Sequence, residues 1–183
     1  MGQVLAPGII KEGPMELKLK TISKSGIAEA IAKAELYRYL NEPEEAESIC
    51  RDILAADPKH MLGLRTLGLS ITDQFTGEGT DRYAEVEEIF KTLSDPYERL
   101  YYTGLLYERR VKAQLHAGRA AHTLLPLLER AMHCFAEAEH SHPPGNDDAI
   151  LRWNRCVRLL QSRPDFHWET DFAAFDFFDS PPV

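Results

Sequence analysis

Apolar residues recur at helical spacing almost without interruption from Gly26 to about Gln161, and prolines divide this pattern into segments. The breaks fall at Asp57-Pro58, Asp95-Pro96 and Pro143-Pro144. Proline ends a helix because it lacks an amide hydrogen and biases the preceding residue towards extended backbone. A pattern of this kind favours helices over strands. The chain is therefore predicted to be all-α and to consist of helical hairpins.

Seven helices are predicted, as three pairs followed by a C-terminal capping helix. They cover residues 27–40, 44–56, 61–75, 82–93, 97–117, 120–140 and 147–161. Asn41 is expected to cap the second helix, and Ile150, Trp153 and Val157 to face inward from the last. The repeat domain then occupies residues 26–162. Residues 1–25 are predicted to form a flexible, mildly basic arm, and residues 163–183 an acidic, aromatic tail.

Composition narrows the class of protein. The chain of 183 residues is long enough for one domain with a core. Its net charge of −8 argues against nucleic-acid binding, which needs clustered basic residues. Three cysteines, far apart and odd in number, are typical of reduced thiols in the cytoplasm. No apolar run approaches the length of a membrane span. We expect a cytoplasmic protein with no nucleic-acid or membrane partner.

Small residues stand at positions where paired helices would touch. Ala34 and Ala46 are twelve residues apart, and the later segments carry Gly68, Gly104, Ala131 and Ala138. Large residues such as Tyr37, Tyr107 and Phe135 would fill the holes between layers. This spacing resembles that of the tetratricopeptide repeat family.

The resemblance implies a right-handed superhelical α-solenoid of about three helix-turn-helix pairs. A bent bundle of helical hairpins is the nearest alternative architecture. The third pair departs from the family pattern, since 27 residues separate Gly104 from Ala131 and Pro126 falls within its second helix. The third pair is therefore expected to be elongated by about two turns in both helices.

The family binds extended peptides in a groove lined by the first helix of each pair. Carrying that spacing across predicts a groove for a peptide or helix of another protein, lined by Glu35, Arg38, Arg65, Leu69, Tyr101 and Glu108. Arg65 beside Tyr101 could hold a carboxylate together with an aromatic or proline side chain. The alternative is that all six are ordinary solvated residues.

The tail contains a second candidate surface. Trp168, Phe172, Phe175 and Phe178 fall at spacings of four, three and three, which would place them on one stripe of a helix. Such a stripe is expected to dock, either on the chain's own repeats or in the groove of a partner. If the partner is a second copy of the chain, docking produces a homo-oligomer. A disordered acidic-aromatic segment is the remaining alternative.

Metal and catalytic sites find little support in the sequence. His133, His140 and His142 cluster near Cys134, but zinc needs ligands that converge. The glycine-rich loop "TGEGTD" lacks the lysine of a phosphate-binding loop. We predict a non-enzymatic adaptor or scaffold with no metal and no cofactor. The alternatives are a self-associating assembly protein that uses the tail and, with less support, a metal-dependent enzyme or sensor.

Overall fold

A computed structural model describes residues 17–167, which contain seven α-helices, three short 3₁₀ helices and no strand. The α-helices are α1 (Ile27–Tyr39), α2 (Pro43–Ala56), α3 (Met61–Asp73), α4 (Tyr83–Lys91), α5 (Pro96–His116), α6 (Leu125–Glu139) and α7 (Asp148–Ser162). The 3₁₀ helices are Lys24–Gly26, Ala121–Leu124 and Pro164–His167. The all-α prediction is confirmed. In the part of the chain that the structure describes, no helix is both long and apolar enough to cross a membrane.

Prolines mark helix starts as well as helix ends. Pro43, Pro96 and Pro126 each lie in the first turn of a helix, where a missing amide hydrogen costs nothing. The expectation that Pro126 lies inside a long helix is wrong, because residues 121–124 form a separate 3₁₀ turn and α6 begins only at Leu125. Helix α5, with 21 residues, is therefore the elongated member of its pair, and α6 has an ordinary 15.

Asn41 ends α1 and does not cap α2. Its φ of 62° is left-handed, and its amide donates to the carbonyl of Arg38 over 3.1 Å. The amide of Glu42 donates to the carbonyl of Tyr37 over 2.9 Å, which completes a Schellman motif. Gly118, with a φ of 83°, follows α5 in the same way. The N-cap of α2 is Glu42.

Each helix packs on the next in the chain, and α1–α3, α3–α5 and α5–α7 also touch. The odd-numbered helices therefore form a continuous row. We call the surface of α1, α3, α5 and α7 that faces away from the even-numbered helices the odd-helix face.

The small residues identified in the sequence lie at helix contacts, as predicted. Ala34, Ala46, Ala131 and Ala138 are fully buried. A Cβ atom at Gly68 would lie 2.3 Å from the ring of Phe90, and one at Gly104 would lie 2.8 Å from the ring of Phe135. Both phenylalanines have no exposed surface. The absence of a side chain at each glycine therefore lets an aromatic ring rest directly on a helix backbone.

Helix α7 is rotated relative to the expectation. Its buried residues are Ala149, Cys156 and Leu159. Ile150 and Val157 are half-buried, and Trp153 is 36% exposed. The predicted inward stripe is therefore wrong, since the residues that precede Ile150 and Val157 are the buried ones. The buried stripe thus contains the small side chains Ala149 and Cys156, which allow close approach of neighbouring helices, whereas Trp153 lies on the outer side.

Candidate functional site

The six predicted groove residues lie on the first three odd-numbered helices, but they are not equally accessible. Glu35 is exposed, whereas Arg38, Arg65 and Leu69 are half-buried. Tyr101 is only 9% exposed and Glu108 only 1%. The expectation that the groove presents Tyr101 and Glu108 to a ligand is therefore wrong, because both side chains are packed into the interior.

Asp73, at the end of α3, links three odd-numbered helices. One carboxylate oxygen accepts a hydrogen bond from Nε of Arg38 on α1 over 2.8 Å, and the other is paired with Arg109 on α5. Arg109 also donates to the carbonyl of Leu69 over 3.2 Å and to the hydroxyl of Thr72. Arg38 and Leu69 thus have structural partners, and their polar groups hold the odd-helix face together.

Arg65 makes an ion pair with Glu98 across α3 and α5, with Nη1 2.7 Å from Oε1. Its guanidinium lies 5.9 Å from the ring centroid of Tyr102. Tyr101 turns the other way, and its ring centroid is 6.0 Å from that of Phe135 on α6. The predicted pairing of Arg65 with Tyr101 is wrong, because adjacent residues point about 100° apart around a helix.

Glu108 is a buried carboxylate with two basic neighbours. Lys112, one turn further along α5, is ion-paired with it, and Nη1 of Arg152 on α7 lies 3.5 Å from Oε2. Burial of an unpaired carboxylate would be costly, so Glu108 favours the placement of both cations at the junction of α5 and α7.

A cavity of about 310 Å³ opens beside these cations, between α3, α5 and α7. We call it the basic pocket. Its walls are formed by Thr72, Asp73, Phe75, Arg109, Lys112, Ala113, His116 and Arg152. The wall contains three basic side chains, Arg109, Lys112 and Arg152, against one carboxylate, that of Asp73, and the basic groups remain in excess when Glu108 is included. An arrangement of this kind favours an anionic ligand group.

The cations of the basic pocket are not among the predicted groove residues, although the spacing of three basic residues in the sequence indicates a shared helix face. Arg109, Lys112 and His116 fall at positions i, i+3 and i+7 of α5, which places them on one helix face. The predicted groove ends at Glu108 because the repeat family has shorter helices, whereas α5 continues to His116.

Two histidines of the cluster, His140 and His142, contact backbone carbonyls at the end of α6. Nδ1 of His140 lies 2.7 Å from the carbonyl oxygen of Ala136, and Nδ1 of His142 lies 2.5 Å from that of Glu139. These contacts satisfy carbonyl groups in the last turn of α6. Among residues 17–167, no three His, Cys, Asp or Glu side chains are grouped as metal ligands would be.

The predicted docking residues of the tail, Trp168, Phe172, Phe175 and Phe178, lie outside the described residues.

Comparison of the chain with family models, with curated proteins and with solved structures gave no match in any of the three searches.

Proposed function

We propose that the protein is a non-catalytic scaffold of tetratricopeptide type that binds an extended acidic segment of another protein along the odd-helix face. A carboxylate of that segment would enter the basic pocket. The observation that carries this proposal is the convergence of Lys112, His116 and Arg152 on one cavity between α3, α5 and α7.

The packing order supports a repeat scaffold. Successive helices touch, and the odd-numbered helices also touch one another in a row, which is the arrangement of stacked helical hairpins. We propose that this row continues as a right-handed superhelix of three hairpins closed by α7. Stacks of this kind offer a long continuous surface, and extended peptides can use many weak contacts along such a surface.

The cations of the basic pocket keep donors for a ligand. Lys112 has three N–H donors and Arg152 has five, and the carboxylate of Glu108 can occupy only some of them. Their side chains remain 31% and 36% exposed. Because Glu108 already fixes both cations in place, a ligand carboxylate would meet preorganised donors and lose less entropy on binding.

The proposal also includes the cellular compartment in which the protein works. Cys50, Cys134 and Cys156 are all free thiols. Reduced cysteines are usual for proteins that work in the cytoplasm. We therefore place the proposed scaffold there.

The test uses a fluorescein-labelled peptide of about ten residues that is rich in Asp and Glu and contains one aromatic residue. We expect fluorescence anisotropy to show binding that weakens with added salt. Lys112→Gln should weaken it about tenfold, since a charge-assisted hydrogen bond is lost while an amide donor remains for Glu108. Lys112→Arg should retain binding.

Lys33→Gln is the matched control. Lys33 is an exposed cation on α1, and its replacement by glutamine removes the same charge as Lys112→Gln does. The circular dichroism of each variant should match that of the parent. The proposal is refuted if the acidic peptide binds no better than a basic peptide of equal length, or if Lys112→Gln and Lys33→Gln have equal effects.

A further inference from the structure

A second cleft lies on a different face of α5, beside the start of α6. This cavity of about 410 Å³ is lined by three arginines, Arg110, Arg119 and Arg130, and by no acidic residue of the described chain. We call it the arginine cleft. Three cations without a carboxylate in the wall are unexpected in a protein with a net charge of −8. Such a concentration of one sign favours an acidic occupant.

Two of these arginines are positioned by aromatic rings. The guanidinium of Arg110 lies 4.3 Å from the ring centroid of Tyr83 on α4, and that of Arg130 lies 4.4 Å from the ring centroid of Tyr107. Nε of Arg110 is buried and makes no hydrogen bond to a described residue. Cation–π contacts leave in-plane N–H donors of a guanidinium available, and among the described residues Arg130 uses only one of its five, at Nη2, on the hydroxyl of Tyr107 over 2.6 Å. The cleft therefore keeps hydrogen-bonding capacity for an anion.

A less polar cavity of about 460 Å³ continues from the arginine cleft and shares Pro126 and Arg130 with it. Tyr107, Glu129, His133 and Cys134 complete its wall, so this cavity contains one acid besides the shared Arg130. Together the two cavities form one groove with a cationic end and a more apolar end. A matching occupant would carry both acids and aromatic rings.

The described chain ends at the border of this groove. The 3₁₀ helix Pro164–His167 packs against the 3₁₀ helix Ala121–Leu124, and Phe166 is only 1% exposed. Thr123 and Leu124 of the latter helix line the arginine cleft. Residue 168 therefore follows directly from a point beside the cleft.

We infer that residues 168–183 of the same chain dock in this groove. They include four acids, no lysine or arginine, and five aromatic residues. Sixteen residues in extended form span roughly 50 Å, which is ample for both cavities. Since the segment is tethered, its local concentration is on the order of millimolar, which favours docking in cis over docking in a second copy. This inference is independent of the proposed peptide site.

Trp168 provides the reporter in the full-length protein. The sequence has two tryptophans, so Trp153→Phe leaves Trp168 as the only one. In this background we expect blue-shifted emission and weak acrylamide quenching. Charge reversal by Arg110→Glu with Arg119→Glu should shift the emission to the red and raise the quenching constant about twofold, as the indole leaves its packed contact.

Lys33→Glu with Lys59→Glu is the matched control, because both lysines are exposed and the change in net charge is the same. It should leave Trp168 unaffected. Arg119→Glu alone keeps the test valid if Arg110→Glu disturbs folding, since Arg119 is an exposed loop residue. Its expected effect has the same direction, with unchanged circular dichroism.

Four results would overturn the inference. The arginine variants could leave the emission unchanged, or the lysine control could shift it equally. The blue shift could depend on protein concentration, which would indicate docking in a second copy. Finally, His116→Glu could release Trp168 where Arg119→Glu does not, which would place the tail at the basic pocket on the odd-helix face.

Discussion

Replacement of Gly68 by alanine tests whether α3 and α4 are packed as closely as the structure shows. The added Cβ would lie 2.3 and 2.8 Å from two ring atoms of Phe90. The ring itself is fully buried and has the ring of Tyr102 5.5 Å away, centroid to centroid, so it has little room to move. Overpacking of this kind costs about 1–3 kcal/mol, and the severity of the overlap places Gly68→Ala near 3 kcal/mol.

Alanine also has a higher helix propensity than glycine, worth about 1 kcal/mol in favour of the variant. The two effects oppose each other, and the steric term is larger. We expect Gly68→Ala to lower the free energy of unfolding by about 2 kcal/mol. Urea unfolding followed by circular dichroism would measure this difference. A stabilisation of about 1 kcal/mol, as propensity alone predicts, would refute the close contact.

A double-mutant cycle assigns the cost to the ring. Leucine at position 90 is smaller than phenylalanine, so Gly68→Ala should cost much less in a Phe90→Leu background, with a coupling energy of about 1–2 kcal/mol. Gly79→Ala is the control, because nothing lies within 4 Å of a Cβ at that position. Its effect should stay within about 0.5 kcal/mol. Simple additivity of the two changes would show that the ring does not cause the loss.

Two further predictions concern titratable groups. A hydrogen bond from Arg82 is the main cause that lowers the pKa of Glu47 to about 2 from its ordinary 4.5. A lowered folded-state pKa stabilises only the ionised form, so the stability difference between the parent and Glu47→Gln should be full above pH 4.5 and should shrink as the pH falls towards 2. Urea unfolding across that range measures it, and a constant difference would contradict it. Burial raises the pKa of Cys50 and Cys156 to about 12. Both thiols should therefore react slowly with iodoacetamide near neutral pH in the native protein and much faster after unfolding in urea, and equal labelling rates in the two states by mass spectrometry would refute this.

Helix positions were predictable from the sequence because their signals are local. Proline and the helical period of apolar residues act within a few residues of the boundary they define, and all seven predicted helices are present. Asn41 shows the limit of such signals. Asparagine suits both a helix N-cap and the left-handed position after a helix, and only the backbone around it decides between them.

The facing of a helix depends on its neighbours and is harder to predict. In α7 both candidate stripes are apolar, one through Trp153 and the other through Cys156, so the pattern alone does not choose between them. The structure buries the stripe that contains Ala149 and Cys156. The same limit explains the error at Tyr101 and Tyr102, since one step along α5 decides which tyrosine meets Arg65.

Charged residues on the odd-helix face serve mainly to fix the geometry of that face. The cost of desolvation offsets much of the attraction in a half-buried ion pair, so the pairs through Asp73 and Glu98 are expected to add less to stability than the packing at Gly68 and Gly104. Each pair does, however, join helices from neighbouring hairpins and so favours one register between them. In the binding mode that we propose, a ligand uses cations with donors to spare, and Lys112 and Arg152 fit this role because both meet at the buried Glu108. The acidic-ligand site that we propose therefore depends on the buried carboxylate of Glu108 as well as on the cations around it.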